Sequence, residues 1–387
     1  MNKKPHIGLI LVLIMFPQIV ETIYSPVLPH LASTFEVSVS TAAQTLSIYF
    51  SAFAFGVIFW GRVADLIGRR LAMLIGLCTY GLGCILALLA TDFNIIMLAR
   101  FVSAFGAAAG SVVTQTMLRD SYDGNELVKV FTLMGMGISL SPVIGLISGG
   151  FIADYAGYVG VFSVLLLLAA ILYLMTLSAL PETCPENITK INLLTLLMRM
   201  LKDSHIRYNA ILVALFNLVL FSYYSLAPFI FSKLNFSSTE FGYTGIALAC
   251  GSLLGSLLNK RLLQAQYTSQ ALLRLACGLV LFGSSGVYVL QDSVWLLAPM
   301  LIVVMSYGIA IPNILAHALA QYKEVAGSAG AVFGLLYYLL LGAGLAITGV
   351  LNNLGLVLML SAVIILVCTV QLHRTVQINP TVQKNSR

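Results

Sequence analysis

The chain has 387 residues, 59% of them hydrophobic and only 9% charged, with a net charge of +6 and a mean hydropathy of +0.98. A water-soluble domain carries roughly 25% charged residues, so a soluble fold is excluded, and the abundance of Phe, Tyr, Ile and Leu excludes a disordered, low-complexity chain. Apolar residues run in stretches of about twenty, enough to cross ~30 Å of hydrocarbon as a helix, rather than alternating as in a membrane barrel.

The N-terminus has the basic start and apolar run of a signal peptide, but the run continues without a small-residue cleavage site into "ETIYSPVLPHL", which predicts a retained first span. Twelve helices follow from the apolar runs, near 7–30, 41–60, 71–90, 94–117, 128–152, 159–180, 208–231, 242–259, 270–290, 295–318, 328–351 and 354–372. With the N-terminus inside, 18 of the 20 basic residues fall on the cytoplasmic side, among them Lys3, Lys4, Arg62, Arg69, Arg70, Lys190, Lys384 and Arg387. That bias is the one that orients membrane helices, and it predicts cytoplasmic N- and C-termini. The positive charge is therefore a topology signal, and no nucleic-acid partner is inferred.

The longest connection, 181–207, separates residues 1–180 from 208–372 and leaves a tail at 373–387. Within it, Ile191, Leu194, Leu197, Met198 and Leu201 stand at helical spacing beside Arg199, Lys202 and Arg207. Such a segment suits an amphipathic helix at the lipid interface or a simple tether. The six cysteines form no Cys-x-x-Cys pair, and all but Cys184 lie in apolar runs, so they read as packing residues rather than metal ligands.

Charges within a bilayer are costly and are functional candidates by default. Two stand deep within the predicted spans, Glu21 in span one and Arg100 in span four. Glu21 lies about nine positions and Arg100 about six from the outer end of its span, or ~13 and ~9 Å at a helical rise. A desolvated carboxylate beside a cation can titrate and carry a proton; a static pair, or a carboxylate facing an aqueous vestibule, is the other reading. Pro17, Pro26 and Pro29 interrupt span one around Glu21, as in helices that line cavities. Tyr24, Gln115, Asn217, Tyr223, Tyr224, Asn313, Tyr337 and Tyr338 are further candidates for a substrate cavity, although packing explains a single tyrosine as well. Glycines four apart (Gly106 and Gly110, Gly145 and Gly149, Gly251 and Gly255, Gly330 and Gly334) permit close helix approach, and their recurrence in both halves suggests sliding contacts between two bundles.

The loop after span two reads Gly61-Arg-Val-Ala-Asp65-Leu-Ile-Gly68-Arg69-Arg70, which resembles the loop signature of the major facilitator superfamily. Arg100-Phe-Val-Ser-Ala-Phe-Gly106 is similar to its intramembrane arginine motif, and Gly137-Ile-Ser-Leu-Ser141-Pro142-Val-Ile-Gly145 to the motif of its proton-coupled antiporters. "IYSPVLPHLA", "SVVTQTMLRD", "YYSLAPFIF", "YGIAIPNILAHAL" and "AGSAGAVFGLLYYLLLGAG" resemble the bicyclomycin/chloramphenicol resistance branch of drug:proton antiporters. Two positions depart from that branch: Ser103 replaces a usual glutamine, and Glu21 lies one position before the usual acidic residue, where Thr22 stands. A one-residue step turns a helical side chain by about 100°.

The resemblance implies an all-α polytopic protein of twelve transmembrane helices in two six-helix bundles, with substrate bound near the midplane and alternating access by rocking. It implies a secondary transporter of the bacterial inner membrane that exports amphipathic drugs or similar small molecules in exchange for protons. A carrier of a specific metabolite or siderophore is the alternative. Glu21 and Arg100 would couple protons. Asp65, Arg69 and Arg70, with Gly61 and Gly68, would form a cytoplasmic latch, and Gly137, Ser141, Pro142 and Gly145 would face span eight. The expected partners are a small-molecule substrate, protons and the lipid bilayer; the proton gradient supplies energy without a cofactor, and a monomer is the family expectation. An enzyme is not expected, since His-Glu-x-x-His, Gly-x-Ser-x-Gly and paired intramembrane aspartates are missing, as is a nucleotide-binding Gly-x-x-x-x-Gly-Lys loop.

Overall fold

The computed structural model describes residues 4–185 and 192–378, and every regular element among them is helical. Lys3, Lys190, Ile191, Lys384 and Arg387, which contribute to the basic-residue pattern and the linker reading, lie outside the described residues.

Span one is built in three pieces. Helix α1 (Ile7–Thr22) ends one residue after Glu21, a 3-10 turn follows at Ser25–Val27, and α2 (Leu28–Thr34) completes the 28-residue apolar segment. Pro26 and Pro29 have no amide hydrogen to continue the ladder, so the break falls beside the buried carboxylate. Helix α3 (Val39–Ile67) is capped by Ser38, whose Oγ accepts the Thr41 amide at 3.1 Å. It stops at Gly68 (φ +95°), and α4 (Arg69–Leu88) starts at the next residue. Helix α5 (Phe93–Ser121) is capped by Asp92, which accepts the amides of Asn94 and Ile95.

Helix α6 (Gly124–Ala179) is one helical run of 56 residues. At ~1.5 Å per residue it would be far longer than a bilayer. It is broken at Gly157, whose φ of +58° and ψ of −153° suit glycine alone, so the run supplies two spans. Counting it twice turns eleven long apolar segments into the expected twelve. The second half begins with α7 (Leu193–Lys202), capped by Asn192, and continues through α8 (Ser204–Lys233), α9 (Ser238–Gln264), α10 (Ser269–Leu290), α11 (Leu297–Ala318), α12 (Ala326–Leu351) and α13 (Leu354–Ile378). Helix α7 is amphipathic: it buries Leu196 and Met200 and exposes Leu194, Met198 and Leu201 with its basic residues.

The chain divides into two compact units, residues 1–190 with 237–245, and 191–236 with 246–387. The first turns of α9 thus belong with the first unit, where the Asp154 carboxylate accepts the amides of Ser238 (2.9 Å) and Thr239 (2.8 Å). Leu82, Leu98, Leu167, Val350 and Ile364 are exposed apolar residues, the surface that lipid covers in a membrane protein.

Glycine spacing proves to serve packing inside each unit. A methyl group on Gly106 would overlap the Tyr80 backbone of α4, and one on Gly149 would overlap Ile23. In the second unit Gly251 and Gly255 of α9 lie against Leu301 and Met305 of α11, while nothing stands within 4 Å of the Cβ position of Gly330. These close approaches join α4 to α5, α1 to α6 and α9 to α11, so the glycines seal neighbouring helices within a unit.

Candidate functional site

Four helices of the first unit bring the deep charges together. Glu21, at the end of α1, is 4% exposed, and Arg100, two turns into α5, is fully buried. The Arg100 guanidinium carbon sits 3.8 Å from the centre of the Tyr24 ring and 4.2 Å from that of Tyr49 on α3. Both rings are themselves fully buried, and Tyr24 packs edge-on against Phe162 of α6. Tyr80 and Cys84 of α4 complete the surroundings, all within the electrostatic reach of Arg100.

None of the three Arg100 nitrogens has a hydrogen-bond partner, and neither has Glu21 Oε1, the Tyr49 hydroxyl or Thr114 Oγ1. Arg100 and Glu21 feel each other's charge, yet they form no ion pair within 4.0 Å. Burying an unpaired charge costs several kcal/mol.

The departures from the antiporter pattern acquire a physical reason here. Thr22 turns toward α6: its Oγ1 donates to the Gln18 carbonyl (2.8 Å) and occupies the space that a methyl on Gly145 would need. Glu21, one residue earlier, instead shares the interior with Arg100. Ser103 donates to the Arg100 carbonyl (3.1 Å) at the point where α4 and α5 nearly touch, since a methyl on Gly83 would stand 2.5 Å from the Ser103 amide. A longer side chain would have little room there.

A second cluster forms at the junction of α3 and α4. Arg69 is 3% exposed and forms ion pairs with Asp65 (2.5 Å) and with Asp120 at the end of α5 (2.9 Å). Arg70 donates to the Leu177 carbonyl (2.5 Å). Gly61 packs near Val112 of α5. Glu182, just beyond α6, accepts the amides of Arg69 (2.9 Å), Arg70 (3.1 Å), Thr183 (2.9 Å) and Cys184 (2.9 Å), and so caps the N-terminus of α4. Partial burial pushes its carboxyl upward, but these four N–H bonds outweigh burial and hold it below the ordinary glutamate range. Asp120 and Glu182 were not singled out from sequence; the signal was an acidic residue at each of two span ends facing a loop rich in arginine.

The span-five residues serve a different contact from the one expected. A methyl on Gly137 would meet Leu11 at 2.7 Å, and Gly145 faces Thr22 and Ile19, so these glycines face α1 rather than span eight. Ser141 is buried and donates to the Gly137 carbonyl, next to Pro142. The residues that do meet the start of α9 are Leu146, Gly150 and Asp154.

The other polar candidates are dispersed. Gln115 is half-buried on α5 and reaches Ser111 (3.4 Å). In the second unit Asn217 donates to the Val213 carbonyl and accepts from Tyr307 (3.3 Å), Tyr223 and Tyr224 are buried with ring centres 6.2 Å apart, and Tyr337 and Tyr338 are half-buried with rings 4.2 Å apart. Asn313 is engaged with Asn259 (2.6 Å) and the Ile309 carbonyl, and His317 contacts Ser269 (3.1 Å). Among the described residues no cluster could hold a metal ion.

Comparison with known proteins agrees with this architecture. An "Uncharacterized transporter" of Rickettsia bellii (strain RML369-C) is 32% identical over 351 residues, 87% of each chain. A "Bicyclomycin resistance protein homolog" of Haemophilus influenzae (strain ATCC 51907 / DSM 11121 / KW20 / Rd) is 29% identical over 175 residues, 44% of this chain and 43% of the relative. Among solved structures, the inward-facing, occupied form of a bacterial homologue of the human lysosomal transporter Spinster matches 97% of each chain with a TM-score of 0.73 at 13% identity, a likeness of fold alone. The family model of the Major Facilitator Superfamily matches residues 10–346, and with its twelve helical spans, its Arg69 loop and its buried Arg100 the chain belongs to that superfamily of membrane transporters.

Proposed function

We propose that the protein is a proton-coupled antiporter of the bacterial inner membrane that exports amphipathic drugs or similar small molecules by alternating access. The observation that carries this reading is the pair of buried charges, Glu21 and Arg100: all three guanidinium nitrogens and the carboxylate Oε1 are without hydrogen-bond partners. With Glu21 ionised the pair is neutral overall; with Glu21 protonated one positive charge remains in the interior. Each state disfavours a different arrangement of the surrounding helices, so binding a proton shifts the conformational equilibrium.

At 4% exposure Glu21 is out of reach of a bulky cation in this conformation. Exchange then rests on the charge balance with Arg100 rather than on proton and drug competing for one carboxylate. The driving force is about 1.4 kcal/mol per pH unit for a proton exchanged against a monovalent cation, with about 2.3 kcal/mol per 100 mV added for a neutral substrate. The resemblance to the bicyclomycin resistance branch, and the relative whose name carries that resistance, support the class of cargo.

The test is proton movement in inverted membrane vesicles. An inside-acid gradient is established, cationic and neutral antibiotics or dyes are added singly, and gradient collapse is recorded for the wild type and Glu21→Gln. The expected outcome is collapse by the wild type and at least a tenfold smaller response from the variant. An equal response would place the proton site elsewhere. Silence of both across the panel would favour a carrier of a specific metabolite or siderophore.

A further inference from the structure

We propose that Tyr24 and Tyr49 form an aromatic clamp that holds the Arg100 guanidinium away from Glu21 and thereby sets the pH at which Glu21 exchanges its proton. The proposal rests on Glu21 being the proton site. Its own support is geometric. The guanidinium carbon lies 3.8 Å from one ring centre and 4.2 Å from the other, on rings from two different elements, the break in span one and α3. Three guanidinium nitrogens are without hydrogen bonds in a residue that is fully buried, while an acceptor of opposite charge, Glu21 Oε1, is equally without a partner in the same interior.

Left to electrostatics, an arginine and a carboxylate in such surroundings would form a bidentate pair. A pair of that kind would hold the carboxylate ionised and make the proton unable to compete. A cation resting on the negative face of two tyrosine rings has a rival attachment that weakens in proportion to neither pH nor salt. The clamp thus keeps Arg100 near enough to be felt by Glu21 and too far to neutralise it. The position of Tyr24 reinforces this. It lies three residues after Glu21 on the stretch where α1 gives way to a 3-10 turn, so a change in that irregular segment moves the carboxylate and one jaw of the clamp together.

The titratable groups around this pair are few. Arg100 of α5 and Tyr49 of α3 interact with Glu21 itself, Tyr80 and Cys84 of α4 lie within reach of Arg100, and Tyr24 stands on the same span as Glu21, while α6 contributes Phe162 against Tyr24 and glycines against Thr22, none of them titratable. Arg100 is the one cation in this set, so its placement dominates the proton affinity of the site. Tyr24 and Tyr49 are positioning residues in this scheme. They act on the proton through Arg100.

The experiment is infrared titration of the purified full chain in lipid vesicles, following the carboxylic acid C=O band that a protonated, buried glutamic acid adds. Loss of that band in Glu21→Gln identifies it; a band that persists in Glu21→Gln would overturn the proton-site reading itself. Given the assignment, Tyr49→Leu and Tyr24→Leu free the guanidinium, and the pH of half-titration is expected to fall by about 1–3 units, the effect of an opposite charge brought within ~4–6 Å. Tyr49→Phe, which keeps the ring and removes the hydroxyl, is expected to leave it in place. Because leucine variants can disturb packing, phenylalanine with zero, one and three ring fluorines at position 49 supplies the graded test, since fluorine drains the ring face at nearly constant size. A stepwise fall of the midpoint with fluorine supports the clamp. A flat series, or a shift in the phenylalanine variant as large as in leucine, overturns it while leaving the proton site intact.

Discussion

Arg69 and Arg100 are both buried arginines of the first unit, and their environments could hardly differ more. Arg69 sits at the junction of α3 and α4 with carboxylates on either side, Asp65 and Asp120, while Glu182 caps the same helix end. Arg100 lies two turns inside α5 with no hydrogen bond to any nitrogen, held between two rings. Ion pairs are affordable where helix ends meet and several partners can converge. In a helix interior the backbone is already engaged in its own ladder, so a cation finds only side chains. The satisfied arginine behaves as a structural joint, whereas the unsatisfied one is, in the proposed mechanism, the charge whose balance a proton on Glu21 would change.

Replacing each arginine by methionine would break or sharpen this contrast most directly. Arg69→Met leaves Asp65 and Asp120 facing each other without their cation and is expected to cost about 3 kcal/mol of stability. Arg100→Met exchanges an unbonded charge for a thioether that packs well on aromatic rings, and is expected to lie within about 1 kcal/mol of wild type while abolishing proton exchange. Thermal or denaturant unfolding of the purified variants, alongside vesicle exchange, reads both. Equal losses of stability would erase the distinction between joint and switch.

A smaller effect is expected at Gly68. An alanine there must adopt φ +95°, and its Cβ would lie 2.5 Å from Glu182 Oε2, so strain and displacement of the cap act together. Gly68→Ala should lose about 1–3 kcal/mol in the same unfolding measurement. Wild-type stability would mean that the capped junction is softer than its bonding suggests.

The smallest effect is a pH dependence. Glu182 is held below its ordinary range in the folded chain, so its contribution is complete above the unfolded glutamate value of about 4.3 and is lost as pH falls through the lower, folded value. Melting temperatures taken from pH 6 downward should therefore drop more steeply for the wild type than for Glu182→Gln. Parallel curves would show that the backbone amides at this helix start are satisfied without the carboxylate.

Several features of the molecule were legible before any coordinates. Continuous apolar stretches and the placement of Arg and Lys gave twelve spans, because lipid demands internally bonded helices of one length and penalises charge. Glu21 and Arg100 stood out for the same reason. Harder to read were Asp120 and Glu182, since an acidic residue at a span end is ordinary by itself and acquires meaning only when a distant arginine or helix start is folded against it. The glycine pairs misled in a different way: their spacing reports close approach but carries no label for the partner, and the pairs at 106 and 110, 145 and 149, and 251 and 255 found neighbours within their own units, whereas Gly330 meets none.

The amino-acid sequence by itself determined the solvent of this protein, the number of its spans and the rarity of its buried charges, all of which follow from local hydropathy and helix length. Tertiary structure alone decided that Thr22 faces α6 while Glu21 faces the interior, that Arg69 has two carboxylates and Arg100 none, and that two tyrosines from different elements close on one guanidinium. The reason is that burial is a property of composition along the chain, whereas the compensation of a buried charge depends on which side chains converge from helices far apart in sequence.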